Sequence, residues 1–234
     1  MKVSAIIPAL NEEAALPATI RAAREAGADE VIVVDGGSAD RTPDAARLLA
    51  DIFLSTAPGR AAQMNAGARA SSGEALLFLH ADTLLPPESI RAVRAAMRQG
   101  DILGGAFSVR LGVSSSASAY RKAILRVTGR MIGVRSRLFR AYTGDQAIFV
   151  RKDAHDATGG FPEVPLMEDV EFSRRITRRG KTVLLPERVT TSGRRWEASG
   201  PLRTILLMWG LRLGYFLGMS PATCADIYGW SRGR

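Results

Sequence analysis

The stretch "VSAIIPALNEEAALPATIRAAREAGADEVIVVDGGS", residues 3–38, decides the fold. It opens on a continuous apolar run, Val3 to Leu10, of the kind buried on both faces of a parallel sheet. Asn11 then starts a helical pattern that runs through Arg24 and is closed by Gly27. "EVIVVD" returns to strand and ends in the glycines of "GGSAD". Strand, helix and strand joined by short turns make a βαβ unit.

The rhythm continues outward from this unit. A helix follows Asp40, "DIFLST" is a third strand, "GRAAQMNAGARA" a helix, and "EALLFLHAD" a fourth strand. Pro86 suits the first turn of the next helix, which reaches about Arg98. This alternation predicts an α/β fold: a Rossmann-like, mainly parallel sheet flanked by helices. Farther on, "GGAFSVRL", "DQAIFV" and "KTVLLP" are strands, "MEDVEFSRRITRRG" is a helix ended by Gly180, and the rest is helical. With no internal repeat and no low-complexity tract, the expected organisation is one domain over residues 1–190. Residues 191–234 form a helical extension that packs on it or on a membrane surface.

The 234 residues are 46% hydrophobic and 24% charged, ordinary for a globular chain. The net charge of +9 and pI near 10.5 are not ordinary, and they point to an anionic partner. From Ile102 through Gly144 there is no acidic residue, while Arg110, Arg121, Lys122, Arg126, Arg130, Arg135, Arg137 and Arg140 all fall there. Nucleic acid is excluded as that partner, because these residues are not interleaved with aromatics in any recognised module. In "ASAYRKAILRVTGRMIGVRSRLF", Ile124, Leu125, Val127, Met131 and Ile132 fall near one helical face. This segment and "PLRTILLMWGLRLGYFLGM" each have two readings: an in-plane interfacial helix, or a core-facing helix with a solvated basic face. The second segment is too short, and too interrupted by Arg212, to span a bilayer. "MKVSAIIPALNEE" is no signal peptide, and the single Cys224, a structural thiol, forbids an internal disulfide. The expected location is cytoplasmic, with peripheral attachment to the inner membrane face as an open alternative.

In open α/β sheets, ligands bind beyond the carboxyl ends of the strands. Those ends deliver Pro8, Asn11 and Glu12; then Asp35, Gly36, Gly37, Ser38 and Asp40; then Gly59, Arg60 and Asn65; then His80, Ala81 and Asp82. Neither G-x-G-x-x-G after the first strand nor G-x-x-x-x-G-K-[ST] occurs, which argues against a dinucleotide dehydrogenase and a P-loop enzyme. The acidic residues suit hydrogen bonds to a base or ribose, and Arg60 suits phosphate or base.

In this order, "IIPALNEE", "VIVVDGGSADRT", "GRAAQMNAGA", "FLHADTLLP", "GGFPE" and "MEDVEFSRRITRRG" resemble the family 2 glycosyltransferases of the GT-A fold, over residues 1–190. The similarity extends to a bacterial subgroup with "VDGGS" and "HAD", some members of which accompany arsenosugar biosynthesis genes. The resemblance implies inverting transfer of a sugar from a UDP- or GDP-linked donor, with Mn2+ or Mg2+ on the leaving diphosphate. It implies that Asp82 holds the metal, and that Pro8, Asn11, Glu12, Asp35, Gly37, Arg60, His80 and Ala81 face the donor. It further implies that Asp169 is the general base, supported by Glu168, and that Asp145, Gln146, Arg195 and Trp196 lie on the acceptor side. The acceptor is a small molecule or a lipid-linked group.

Two departures stand out: His80 replaces the usual first Asp of the metal motif, and Gly36 the second acid of the usual "DDGS". Bland readings stand beside the functional ones. The alternatives are Asp82 as a turn cap, Asn11 as a helix cap, Glu168 and Asp169 as dipole-complementing acids, and Arg195 with Trp196 as a surface stack. Gln63 and Asn65 are expected to pack or cap, and His155 to sit on a helix surface. The rival functions are a catalytically inactive nucleotide-sugar binder and a sugar-phosphate nucleotidyltransferase. "PALNEEAAL" lacks the Gly-rich basic loop that the latter needs.

Overall fold

Strand β1 (Val3–Ala9) is the axis of the molecule, and its side chains sort strictly by parity. Val3, Ala5, Ile7 and Ala9 enter one apolar layer with Leu16, Ile20 and Ala23 of α1 (Leu16–Glu25). Ile6 enters the opposite layer with Met64 and Ala68 of α3 (Arg60–Ala70). A strand buried on both faces needs an apolar run, which "VSAIIPA" supplies apart from Ser4, whose buried hydroxyl donates to Glu30 Oε2 at 2.5 Å. The structure is a computed structural model that describes residues 1–113, 118–194 and 200–229.

The remaining elements are β2 (Glu30–Asp35), α2 (Thr42–Leu49), β3 (Ile52–Ser55), β4 (Ala75–Phe78), β5 (Thr83–Leu84), α4 (Ser89–Arg98) and β6 (Ile102–Leu111). They continue with α5 (Ala119–Phe139), β7 (Ile148–Arg151), α6 (Lys152–Ala157), α7 (Glu168–Arg179), β8 (Lys181–Thr191), α8 (Pro201–Phe216) and α9 (Pro221–Tyr228). The sheet order is β3-β2-β1-β4-β7-β6-β8-β5. β1, β2, β3 and β4 pair in parallel, as the βαβ rhythm predicts. β7 runs antiparallel between β4 and β6, while β6 and β8 pair in parallel. The expected fold class, an α/β mainly parallel sheet flanked by helices with helices at the C-terminal end, is observed. Among the described residues no helix is long and apolar enough to cross a membrane.

Three local expectations are corrected. The first helix begins at Leu16, not Asn11, whose backbone is left-handed (φ 52°). Asn11 turns the chain instead of capping a helix, accepting from Ala39 N–H at 2.9 Å. The helix expected from Pro86 begins at Ser89, whose hydroxyl donates to the Pro86 carbonyl at 2.6 Å.

The third correction is His155, which is buried. The short helix α6 lays its ring against Phe78 (5.6 Å between centroids), Phe161 and Phe172, so the imidazole fills an aromatic core. Burial pushes the His155 pKa below its ordinary 6.5, with Lys152 and Arg69 acting the same way and Asp156 against. The native protein therefore keeps this ring neutral where the unfolded chain takes up a proton, and stability falls as pH drops below about 6.5. Thermal unfolding of the wild type should drop in midpoint between about pH 7.5 and 5.5 by more than that of His155→Phe. Parallel pH profiles would contradict the assignment.

Candidate functional site

Beyond the carboxyl ends of the parallel strands lies a cavity of about 680 Å³, a normal size for a small-molecule site. Pro8, Glu12, Arg60, Gln63, His80, Ala81 and Asp82 line one part, and Thr143, Asp145, Glu168 and Asp169 another. Arg194 from the segment after β8, Met208 and Arg212 from α8, and Tyr228 from α9 complete it.

Asp82 follows β4 and is fixed by the β5–β8 pairing. Its carbonyl accepts from Ser192 N–H at 3.1 Å, and Thr83 Oγ1 donates to Thr191 Oγ1 at 2.8 Å. Among the described residues its carboxylate caps no turn and instead meets Arg194 Nη2 at 3.4 Å. The same Nη2 donates to both carboxylate oxygens of Glu12, at 2.8 and 2.6 Å. Burial raises the Glu12 pKa, with Arg194 opposing and the neighbouring Asp82 adding to the rise.

Asp35 is buried at the end of β2 and holds the "DGGS" turn. It accepts from Gly37 N–H (2.9 Å), Ser38 N–H (3.0 Å) and Ser38 Oγ (2.5 Å). Gly37 is left-handed (φ 88°), which favours glycine. At Gly36 the constraint is room, since an added Cβ would lie 3.0 Å from Gln63 Nε2. That amide donates to the carbonyls of Ala9 (2.9 Å) and Val34 (2.8 Å), tying together the ends of β1 and β2. The departure at Gly36 is thus matched by Gln63. Asn65 bonds reciprocally with the Phe161 backbone, N–H to Oδ1 at 2.9 Å and Nδ2 to carbonyl at 2.8 Å.

Met167 precedes α7 in the left-handed region (φ 71°), and the two acids that follow it diverge. Glu168 is buried and pairs with Arg60 Nη1 at 3.0 Å. Burial raises its pKa against the pull of Arg60. Asp169 points the other way, its Oδ2 accepting from Gly144 N–H at 2.8 Å. Both acids also lie in the first turn of α7, where carboxylates complement the helix dipole.

His80 lies beside the same glycine: a Cβ on Gly144 would fall 2.2 Å from His80 Nε2. The histidine that replaces the usual first acid thus packs on the peptide that anchors Asp169. Burial raises the pKa of the neighbouring Asp145, opposed by the Thr143 hydroxyl and Arg135. Gln146 is fully buried and does not line the cavity. Its Oε1 accepts from Ser136 Oγ at 2.9 Å, and its Nε2 donates to the Phe107 carbonyl at 3.2 Å.

The cavity thus gathers most of the expected residues and leaves out Asn11, Asp35, Gly37 and Gln146. Arg195 and Trp196 lie outside the described residues. Arg194, which lines the cavity, and Arg135, whose charge reaches Asp145 and Asp169, are not legible as site residues in the sequence. Arg194 reaches a residue 182 positions away, and Arg135 is one of many arginines on α5. The sole signal was the basic pair beside Trp196 in "SGRRW".

The sequence model of Glycosyl transferase family 2 matches residues 4–160, the span that carries Pro8, Glu12, Arg60, His80, Ala81, Asp82 and Asp145 of the cavity lining. The chain belongs to this glycosyltransferase family. Among curated family members, it is 32% identical over 158 residues to the undecaprenyl-phosphate 4-deoxy-4-formamido-L-arabinose transferase of Serratia proteamaculans, covering 60% of this chain and 48% of the relative. The protein of the same name from Pseudomonas aeruginosa is 33% identical over 162 residues, covering 60% and 46%. The chain spans about half the length of these curated relatives.

Solved structures confirm the GT-A fold. S. aureus TarS in complex with UDP superposes with a TM-score of 0.60 at 17% identity, covering 82% of this chain and 60% of that one. M. tuberculosis glucosyl-3-phosphoglycerate synthase gives 0.60 at 18% identity, covering 80% and 70%.

Proposed function

We propose that the protein is an inverting glycosyltransferase, moving a sugar from a nucleotide-diphosphate donor to an acceptor hydroxyl, with Asp169 as general base. The observation that carries this reading is the placement of Asp82 and Asp169 in one cavity, with Asp169 held by the Gly144 amide. A binding module needs no such anchored base, which weighs against the inactive reading. The family weighs against a nucleotidyltransferase.

The donor's nucleoside would lie along Pro8, Arg60 and Ala81, and its diphosphate near Asp82. The acceptor enters over Asp145 and Asp169. Asp169 takes the proton as the acceptor oxygen bonds to the anomeric carbon, and the diphosphate departs from the opposite face with the bonding electrons. The Arg60–Glu168 pair fixes the start of α7 and leaves Asp169 free to act.

Mn2+ or Mg2+ fits this site. Glu12 and Asp82 bring two hard oxygen donors to one point, where the Arg194 guanidinium already stands in for a cation. Bound there, the ion would neutralise charge on the leaving diphosphate.

The arrangement of α5 and α8 supports a membrane-facing role and a lipid-linked acceptor, in line with the names of the curated relatives. α5 lays Leu125 and Ile132 on the core and carries Val127, Met131, Val134 and Leu138 as an exposed stripe on its other side. Leu202, Leu206, Trp209, Leu213 and Phe216 form another on α8. Arg126, Arg130, Arg137 and Arg203 are exposed on the same helices, which suits an anionic bilayer. The protein should sediment with anionic vesicles at low salt, and Leu206→Ser/Trp209→Ser should weaken that binding by about tenfold or more. No sedimentation of the wild type would sink the idea.

A donor-hydrolysis and transfer screen across UDP- and GDP-sugars with Mn2+ or Mg2+ tests the reaction itself. Turnover with any such donor is the expected result. No turnover or binding across the panel would overturn the reading.

A further inference from the structure

We propose that Arg194 is a built-in counter-cation of the donor site, which keeps divalent metal out until a nucleotide diphosphate arrives. The inference rests on the reading of Asp82 as a metal-holding residue and goes beyond it to the order in which the site fills.

Two carboxylates of different chain origin, Glu12 after β1 and Asp82 after β4, converge on one guanidinium nitrogen at 2.6–3.4 Å. Left alone, two carboxylates brought this close would repel. Arg194 offsets that repulsion by placing one cationic Nη2 between them. The oxygens it occupies are the ones a hard divalent ion would take. Among the described residues no cluster of three or more His, Cys, Asp or Glu side chains could hold a metal. A metal entering the site without a donor would therefore have few protein ligands and would have to displace a doubly bonded guanidinium.

A diphosphate changes both sides of that balance. Its oxygens add ligands for the metal, and they offer the guanidinium an anionic partner at least as good as the carboxylates it gives up. Arg194 can make the exchange without moving its backbone. Ser192 Oγ accepts from its N–H at 3.2 Å and its Nε at 3.1 Å, and Ser192 itself is bonded to the Asp82 carbonyl. The side chain is mostly exposed (59%), so on releasing the Nε–Ser192 bond the guanidinium can turn from the carboxylates toward a phosphate. Metal and nucleotide then bind with positive coupling, and the coupling is reciprocal.

Titration of Mn2+ by electron paramagnetic resonance, with and without UDP and GDP, reads this out without any turnover. In the wild type, nucleotide should strengthen Mn2+ binding. Arg194→Gln should bind Mn2+ alone about tenfold more tightly than the wild type, and its enhancement by nucleotide should shrink by a similar factor. Arg194→Lys, which keeps the charge, should stay within about threefold of the wild type for Mn2+ alone. Equal Mn2+ affinity in Arg194→Gln and wild type, or nucleotide coupling of unchanged size, would overturn the inference. Asp82→Ala separates this failure from a deeper one. If it abolishes Mn2+ binding while Arg194→Gln changes nothing, the counter-cation role alone fails. If Asp82→Ala leaves nucleotide-dependent Mn2+ binding intact, the metal assignment fails with it.

Discussion

Asp169→Asn is expected to keep nucleotide binding within about threefold of the wild type while lowering transfer by about 10²–10⁴-fold, the usual contribution of a positioned general base. The substitution preserves size, and an amide oxygen can still accept from Gly144 N–H in place of the carboxylate Oδ2 at 2.8 Å. What it removes is the ability to take a proton from the acceptor. Glu168 cannot substitute, because it is buried and committed to Arg60 at 3.0 Å. Asp145 also lines the cavity, but its carboxylate already accepts from the Thr143 hydroxyl. Asp145→Asn measured in parallel should therefore lose less than Asp169→Asn. Transfer by Asp169→Asn at the parent rate would show that the base is elsewhere.

Gly144→Ala should cost transfer by more than about tenfold and destabilise the fold by about 1–3 kcal/mol, the range for overpacking. The new Cβ would fall 2.2 Å from His80 Nε2 and 2.7 Å from Cε1, so ring or backbone must shift. A backbone shift moves the amide that anchors Asp169. Gly144→Ala/His80→Ala removes the ring that the methyl strikes, so it should recover part of the lost activity and stability. Equal losses in the single and double variants would mean that the His80–Gly144 contact does not position Asp169.

Much of the fold was legible because its physics is local. The apolar runs of β1 and β2, buried on both faces, gave the parallel core, and Gly180 marked the end of α7. The direction of β7 was not legible, because "DQAIFV" carries the same apolar run whichever way it pairs. Asn11 misled because a residue suited to capping is equally suited to a left-handed turn.

The acids of the site were found through the motifs that carry them. Their partners were not, since Arg194–Glu12, Arg60–Glu168 and His80–Gly144 all join residues far apart in the chain. The two departures from the family pattern become intelligible as pairings. Gly36 leaves space for the doubly bonded Gln63, and His80 packs on a glycine that no larger residue can replace without a shift.

In the proposed function this cavity binds a nucleotide diphosphate through a metal held at Asp82. Calorimetric titration of the wild type and Asp82→Ala with UDP and GDP, with and without Mn2+, tests it most directly. One of the two nucleotides should bind the wild type at least about tenfold more tightly with Mn2+ present, and Asp82→Ala should remove that gain. Nucleotide binding that is indifferent to Mn2+, or equally metal-dependent in Asp82→Ala, would contradict it.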